Sequence, residues 1–337
     1  MNLQTASSLE HAQSVLRTSA GSFENKAGFL TLEGSESIDL LNRLSTNDLK
    51  NLKESLVRPT ILTSEKGRMI DLVLALNLGD RVLLIVGEGN EGPVKSWLEK
   101  YIIMEDITVT DVTSSYQRIS IIGPQAASIA SQLCHKDLSS PGESIFELGE
   151  AAGAFLYRNP EWPIEAYDIV GSPDEIVKAG GRLKEIGVFE LNGGEAASGA
   201  MEPLRVELGV PRTGREIEER VNPLEAGLVR FVSFSKGCYI GQEVIARLDT
   251  YKKLQRRLRG FIFPEGYENE TPGRLFVDGI ESGWTTSHAH SFKAGKQIAL
   301  GYLKLFPEPV AVTFVANGTE REVALSVVDL PFDFPGL

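Results

Sequence analysis

The chain is poor in cysteine, in histidine and in long apolar runs. Its 337 residues include two cysteines and four histidines. Two cysteines cannot form a disulfide framework, which fits a reducing compartment, so we predict a cytoplasmic location. No stretch approaches the ~20 consecutive apolar residues that a membrane-spanning helix needs. Residues 1–10 are polar and lack the features of a secretory signal or of an Arg-rich transit peptide.

Positive charge is also scarce. The chain has 34 Lys and Arg against 46 Asp and Glu, a formal net charge of −12. Nucleic-acid-binding proteins usually show the opposite balance, so we predict neither direct binding of nucleic acid nor a membrane partner. One basic cluster can equally be a solvated strand edge or a dock for an anionic ligand or partner. Its members are Lys252, Lys253, Arg256, Arg257 and Arg259.

The rest of the composition is that of an ordinary globular protein of two or three domains. Up to about residue 250, helical and strand patterns alternate without a clear βαβ parallel order, which predicts an α+β fold. From about Leu258, short apolar runs separated by turn residues predict a small antiparallel barrel. We therefore predict two domains, 1–252 and 253–337. Predicted helices cover residues 8–18, 37–44, 93–101, 124–133, 173–183 and 195–208. Predicted strands cover residues 27–32, 70–78, 82–86, 118–122, 166–170, 261–263, 275–277, 298–302, 310–315 and 323–328.

One short motif concentrates reactive chemistry around a cysteine. Cys238 lies two residues after Lys236, and a nearby cation or a helix N-terminus favours the reactive thiolate form of a cysteine. We predict that Lys236 supplies this cation and that a helix opens at Gln242. The alternative is that Cys238 is a small buried hydrophobic residue in a turn. The other motif residues are Gly237, Tyr239, Gly241 and Glu243, and the glycines are predicted to adopt positive φ and to approach a partner closely.

The string K-G-C-Y-x-G-Q-E over residues 236–243 resembles the signature of the YgfZ family. That family belongs to the T-protein superfamily, which is named for the aminomethyltransferase of the glycine cleavage system. The resemblance implies a folate-binding core of ferredoxin-like subdomains around a central hole, followed by a C-terminal antiparallel β-barrel. Further stretches resemble the same superfamily: residues 67–72, 106–111, 123–126, 205–211, 283–287 and 298–302.

The resemblance implies tetrahydrofolate or a derivative as the cofactor. Glu207, in an R-x-E-x-G-x-P element that begins at Arg205, would accept paired hydrogen bonds from the pterin ring. Arg256 or Arg257 would meet the glutamyl tail of the folate, because a guanidinium fork suits a carboxylate. The alternative for Glu207 is a surface ion pair with Arg205 or Arg212, which would add little stability.

One departure from the superfamily pattern bears on catalysis. The aminomethyltransferases carry a catalytic aspartate in an N-A-S-N-x-x-K-D-x-x-W segment. Here Asn90 and Trp97 keep the register, and Val94 occupies the place of the aspartate. Glu88 and Glu91 are acidic but out of register. Valine cannot transfer a proton, and general acid–base catalysis typically contributes 10²–10⁴-fold in rate. We therefore expect that the chain is not an active aminomethyltransferase.

Three functions are compatible with these features. The first is a folate-binding protein that supports iron–sulfur cluster assembly or repair, including enzymes of tRNA modification, with Cys238 as the key thiol. Its partners would be iron–sulfur proteins or assembly factors. One cysteine cannot hold a cluster, so Cys238 would share a site or act as a redox thiol. The alternative is a tetrahydrofolate-dependent aminomethyltransferase or related one-carbon transferase; a scaffold that has lost folate is a third. No metal site is predicted, because His288 and His290 are interpreted as surface residues of a barrel loop.

Overall fold

The computed structural model describes residues 3–138, 142, 144–148, 153–191, 195–251, 253–307 and 309–333. The chain divides into two compact units. Unit 1 consists of Met1–Thr63, Ile70–Ser198 and Phe231–Ile240. Unit 2 consists of Ser64–Met69, Gly199–Arg230 and Gly241–Leu337.

Helices and strands are numbered in chain order. The helices are α1 (Leu3–Thr18), α2 (Ser37–Leu44), α3 (Glu91–Glu99), α4 (Ala126–Cys134), α5 (Pro173–Glu185), α6 (Glu195–Leu208) and α7 (Gln242–Thr250). The first strands are β1 (Gly21–Glu24), β2 (Gly28–Glu33), β3 (Leu56–Thr63), β4 (Met69–Asn77), β5 (Val82–Val86), β6 (Thr108–Asp111), β7 (Gln117–Ile122), β8 (Ile145–Leu148), β9 (Ala154–Arg158), β10 (Ala166–Gly171) and β11 (Phe189–Glu190). The last are β12 (Arg256–Ile262), β13 (Gly273–Val277), β14 (Ile280–Ser291), β15 (Lys296–Lys304), β16 (Val312–Ala316) and β17 (Glu322–Val328).

Unit 1 is built from two sheets, ordered β3-β4-β5-β2-β6 and β11-β1-β7-β10-β9-β8. Side chains alternate between the two faces of each strand, so each sheet contributes to two cores. One face of the six-stranded sheet packs with α4 and α5 around Leu156 and Tyr167. One face of the five-stranded sheet packs with α2 and α3 around Leu84. A third core, containing Phe29 and Tyr157, draws residues from both sheets.

Unit 2 contains a closed barrel in the order β12-β15-β14-β13-β16-β17, in which neighbouring strands are antiparallel. Its interior is filled by apolar residues that include Phe261, Phe263, Leu275 and Phe314. Helix α7 and most of α6 also belong to this unit. None of the helices in the described residues is long and apolar enough to cross a membrane.

The predicted α+β class and the C-terminal antiparallel barrel are confirmed. Helices α2 and α6 and strand β5 have the predicted ends, whereas α3 begins at Glu91 rather than at Pro93. Strand β14 escaped prediction because polar residues occupy much of its length, and β1, β3, β8, β9 and β11 were also missed. The division of the chain at residue 252 stays a prediction; the first barrel strand begins at Arg256.

Candidate functional site

The thiol of Cys238 lies on an exposed loop of unit 1. Its neighbour Tyr239 points inward and is only 8% exposed. Burial raises the pKa of Tyr239 to about 12. The loop therefore exposes Cys238 to solvent and is anchored by the buried side chain of Tyr239. The alternative interpretation of Cys238 as a small buried hydrophobic residue is wrong.

Lys236 fixes this loop to the end of helix α2. Its Nζ donates hydrogen bonds to three backbone carbonyls, those of Asn42 at 2.7 Å, Ser45 at 2.9 Å and Asn47 at 2.5 Å. The carbonyls at a helix C-terminus carry partial negative charge and favour a cation. Burial lowers the pKa of Lys236 to about 8, and the negative charge of Asp48 opposes this shift. Lys236 thus holds the backbone, and its action as a cation on the Cys238 thiol stays a prediction.

Further hydrogen bonds hold the C-terminal side of the same loop. The Ile240 N–H donates to the Arg43 carbonyl at 3.0 Å, and the Ile240 carbonyl accepts from Thr63 Oγ1 at 2.7 Å. The Lys236 ammonium lies 5.2 Å from the centre of the Tyr239 ring. The backbone on both sides of Cys238 is therefore fixed while its thiol stays accessible.

The two motif glycines play different roles. In unit 2, Gly241 has φ +83°, and an added Cβ would lie 2.6 Å from the Ser64 carbonyl oxygen and 2.9 Å from the Gly67 Cα. Positive φ and close approach are thus confirmed for Gly241. Both are wrong for Gly237, whose φ is ordinary and whose Cβ would meet no described atom within 4 Å. Helix α7 begins at Gln242, as predicted.

The motif residue Glu243 lies on the first turn of α7 and is exposed. Its carboxylate is 3.7 Å from the Arg247 guanidinium, and the two side chains are 85% and 70% exposed. An exposed pair of this kind contributes little to stability.

Glu207 is a buried carboxylate of unit 2. It is only 5% exposed on α6, and its Oε1 accepts a 2.6 Å hydrogen bond from Ser291 Oγ on β14. Its backbone carbonyl accepts from the Phe332 N–H at 2.8 Å. The alternative of a surface ion pair is therefore wrong, because the Glu207 side chain is buried. A contact with a pterin stays a prediction.

Arg205 is part of a buried hydrogen-bond network. Its Nε and NH2 donate to the Glu202 carboxylate, its NH1 donates to Glu216 Oε2 and to the Val210 carbonyl, and NH2 also donates to Ser287 Oγ. All five N–H donors of the guanidinium thus have protein acceptors. Arg205 holds the end of α6 against β14, so a direct contact with folate would require it to exchange one of these bonds.

The two arginines predicted to meet a folate tail differ in environment. Arg256 Nε lies 3.3 Å from Glu225 Oε1, and its guanidinium is 5.2 Å from the Trp284 ring. Arg220 lies 4.6 Å from the same ring. Arg257, by contrast, is exposed. Another cation of the basic cluster, Lys252, lies outside the described residues.

Val94 is fully buried in the core of unit 1, on helix α3. The turn before it is held by Asp71, which is also fully buried. Asp71 Oδ2 accepts from the Gly87 N–H at 2.9 Å and from Asn90 Nδ2 at 3.0 Å. The segment therefore presents an apolar side chain to the core, and the correspondence of Val94 with the aspartate of the superfamily pattern stays a prediction.

His288 is not a surface loop residue, as the sequence suggested. It lies within β14, is 8% exposed, and its Nε2 is 2.8 Å from Thr285 Oγ1. Burial lowers the pKa of His288 to about 4. His290, on the same strand, is exposed, which confirms that part of the interpretation. Among the described residues, no group of three or more His, Cys, Asp or Glu side chains could hold a metal ion.

Comparisons with known proteins agree with this architecture. Residues 3–154 match the GCVT N-terminal domain family. The crystal structure of the glycine cleavage system aminomethyltransferase T from Bartonella henselae superposes with a TM-score of 0.78 and 22% identity, covering 96% of this chain and 89% of that one. An aminomethyltransferase from Thermoanaerobacter pseudethanolicus is 27% identical over 296 residues, 86% of this chain and 79% of the relative. A putative chloroplastic transferase from Arabidopsis thaliana is 28% identical over 289 residues, 82% of this chain and 63% of the relative.

Together, these matches show a GCVT N-terminal domain match over residues 3–154 and similarity to aminomethyltransferases over most of the chain. The predicted T-protein-like fold is confirmed by the superposition. The names of the relatives fit the aminomethyltransferase alternative, and none of the matches tests the narrower YgfZ assignment.

The predicted residues fall in both units. Glu207, Arg205 and Arg256 belong to unit 2, whereas Cys238 and Val94 belong to unit 1. Sequence reasoning missed three polar partners, Glu216, Ser287 and Ser291. Only Ser287 lay in a stretch with a family signal. The other two gave none, because contacts such as the one from Ser291 to Glu207 join residues 84 positions apart.

Proposed function

We propose that this GcvT-like protein binds tetrahydrofolate or a derivative and supports iron–sulfur cluster assembly or repair, including enzymes of tRNA modification, through Cys238. The observation that carries this proposal is an exposed thiol on a loop whose backbone is held on both sides. A thiolate is both a nucleophile and a metal ligand, and an ordered loop loses little entropy when a partner engages it. One sulfur suits a cluster shared with an iron–sulfur protein, or a redox step with that protein.

The folate part of the proposal rests on Glu207. A buried carboxylate is costly unless hydrogen-bond donors surround it, and Ser291 supplies one of them. An aminopyrimidine ring such as that of a pterin presents two adjacent N–H donors, which match a carboxylate in geometry. The similarity to aminomethyltransferases over 86% of the chain supports the same ligand class.

Aminomethyl transfer is the alternative function, and the names of the relatives favour it. Against it stands Val94, which is fully buried and which the sequence pattern predicts to occupy the position of the catalytic aspartate. A core valine can neither orient an amine nor carry a proton.

Complementation tests the thiol. In a strain that lacks its own family member, we expect the wild-type chain to rescue growth and Cys238→Ser to fail while remaining folded. Cys134→Ser is the matched control, because Cys134 is the other free cysteine and is only partly buried. Full rescue by Cys238→Ser would show that the thiol is dispensable and would overturn this part of the proposal.

Two measurements separate the remaining functions. Steady-state conversion of tetrahydrofolate to its methylene form, with a panel of methylamine-like donors, is expected to show no robust turnover. Turnover that survives Cys238→Ala would establish the transferase instead. Calorimetry with reduced folates is expected to show binding that Glu207→Ala abolishes. No heat with the wild-type protein would indicate a scaffold that has lost folate.

A further inference from the structure

A buried serine of unit 2 orients the Glu207 carboxylate. Ser291, at the end of β14, is fully buried, and its Oγ donates a 2.6 Å hydrogen bond to Glu207 Oε1. The same Oγ accepts from the Ala294 N–H at 3.0 Å. Because a carboxylate can only accept, the single hydroxyl proton of Ser291 is directed at Glu207. A short O–H···O⁻ bond of this kind is among the stronger hydrogen bonds in proteins.

The place of Glu207 in its helix explains why such a donor is needed. Glu207 lies in the last turn of α6, where carbonyl groups without helical partners carry partial negative charge. A carboxylate at this end of a helix is disfavoured, and its burial adds a cost of desolvation. The hydroxyl of Ser291 offsets part of both costs, which an apolar side chain at position 291 could not do.

The backbone at Glu207 is fixed by other contacts. Its carbonyl accepts from the Phe332 N–H at 2.8 Å. Two residues earlier on α6, the Arg205 guanidinium donates to Ser287 Oγ, which lies on the same strand as Ser291. The end of α6 is thus attached to β14 and to the C-terminal segment independently of Ser291. The Ser291 bond adds the orientation of the carboxylate plane, because the last torsion of a glutamate side chain has only broad, roughly two-fold preferences.

The orientation of this carboxylate matters most for a ligand with two donors. The aminopyrimidine ring of a pterin presents two adjacent N–H donors in one plane, and paired bonds require the carboxylate to lie in that plane. A carboxylate offers about four lone-pair sites, so the bond from Ser291 is compatible with paired bonds from a ring. A ring with a single N–H donor has no such requirement, because one carboxylate oxygen can accept from it at many rotations. The Ser291 bond therefore favours the ring with two donors.

We propose that Ser291 is a positioning residue that orients the Glu207 carboxylate for the paired N–H donors of an aminopyrimidine ligand. The inference rests on the folate function proposed for Glu207. It adds a determinant of specificity: a ring without the exocyclic amino group binds less tightly, and the size of that difference depends on a hydroxyl that acts through Glu207.

Calorimetry on the full chain tests this role with tetrahydrofolate and with its 2-desamino-2-methyl analogue, which lacks the exocyclic N–H donors. We expect Ser291→Ala to weaken the binding of tetrahydrofolate about tenfold and that of the analogue less than about twofold. A loss that depends on the ligand separates positioning from damage to the fold, which would weaken both ligands alike. Ser282→Ala is the matched control, because Ser282 is a buried serine of β14 whose hydroxyl donates to the Ile280 carbonyl at 2.9 Å. It is expected to bind both ligands as the wild type does.

Three results would overturn the role of Ser291 and leave the folate function standing: equal losses for the two ligands, an unchanged affinity of Ser291→Ala for tetrahydrofolate, or the same loss in Ser282→Ala. No binding of tetrahydrofolate by the wild type would instead overturn the folate function and this inference with it. If Ser291→Ala does not fold, Ser291→Cys takes its place, because a thiol is a weaker donor in a side chain of similar shape. The expected loss is then smaller and still confined to tetrahydrofolate.

Discussion

At the scale of single residues, the cysteine motif separates into a reactive group and its supports. Cys238 is exposed, whereas Lys236 and Tyr239 are turned toward the protein. A lysine two positions before a cysteine suggests electrostatic activation, but three carbonyl acceptors give the Lys236 ammonium a structural task. The motif residues therefore fix the backbone of the loop as well as supplying its thiol.

Replacing Lys236 tests whether its ammonium stabilises the backbone of the loop. Lys236→Met keeps most of the apolar stem but leaves three carbonyls without their shared donor, so we expect a loss of about 3 kcal/mol in the free energy of unfolding. Urea unfolding measures the loss, and amide exchange at Ile240 is expected to become faster. Lys50→Met, an exposed lysine of unit 1, is the control and is expected to have little effect. Equal free energies of unfolding for the two variants would show that the hydrogen bonds of Lys236 do not stabilise the loop.

His288 gives unit 2 a pH dependence whose sign follows from its burial. Its pKa is about 4 in the folded chain, below the ordinary value of 6.5, so the unfolded chain binds more protons between these values. The folded state therefore loses stability as the pH falls from about 6.5 toward 4, by about 2 kcal/mol between pH 7 and pH 5.

Urea unfolding at several pH values measures this contribution as the difference between variants. We expect His288→Phe to have a flatter stability profile than the wild type between pH 5 and 7, whatever its absolute stability. His290→Gln, which changes an exposed histidine of the same strand, is expected to keep the wild-type slope. If the free energy of unfolding of His288→Phe depended on pH as steeply as that of the wild type, the pH dependence could not be assigned to His288.

At the scale of elements, two glycines meet where α7 begins. Gly241 and Gly67 both have positive φ, and their backbones approach so closely that a Cβ on Gly241 would lie 2.9 Å from the Gly67 Cα. Only glycine combines the left-handed conformation with the absence of a side chain. The approach fixes the start of α7 against residues 64–67.

Gly241→Ala is therefore expected to destabilise the protein by about 2 kcal/mol or more, through strain at positive φ and collision with backbone atoms. Gly237→Ala, in the same motif, meets no described atom within 4 Å and is expected to be nearly neutral. Thermal unfolding of the two variants compares them directly. Similar melting temperatures would show that the backbone at Gly241 can relax.

Elements with a strong local pattern were predictable, and elements defined by distant partners were not. Helix α2 was found from its apolar spacing, and β5 from an apolar run after a turn. Strand β11 has two residues and exists only because it pairs with β1, more than 160 positions earlier. Strand β14 has a polar composition that gave no strand signal at Ser287, His288 and Ser291, and the partners of Ser287 and Ser291 lie more than 80 positions away in the sequence.

At the scale of the whole molecule, the candidate chemistry is divided between units. The thiol and the Val94 position belong to unit 1, and the candidate folate carboxylate Glu207 belongs to unit 2. Similarity to the aminomethyltransferases extends over most of the chain and so includes residues of both units. Under the proposed function, the ligand-binding architecture is retained without the transfer step.

Restoring the aspartate tests this account. Val94 is fully buried, so the carboxylate of Val94→Asp would have to be desolvated without a prepared partner. We expect the new carboxyl to have a raised pKa, the free energy of unfolding to fall by about 3 kcal/mol or more, and aminomethyl transfer to remain absent. Val94→Thr, which adds one hydroxyl at similar volume, is the control and is expected to cost less. Unfolding in urea and turnover of tetrahydrofolate with an aminomethyl donor measure both effects. A stable Val94→Asp variant that turns over would mean that position 94 can face a substrate, and the transferase function would then be the better assignment.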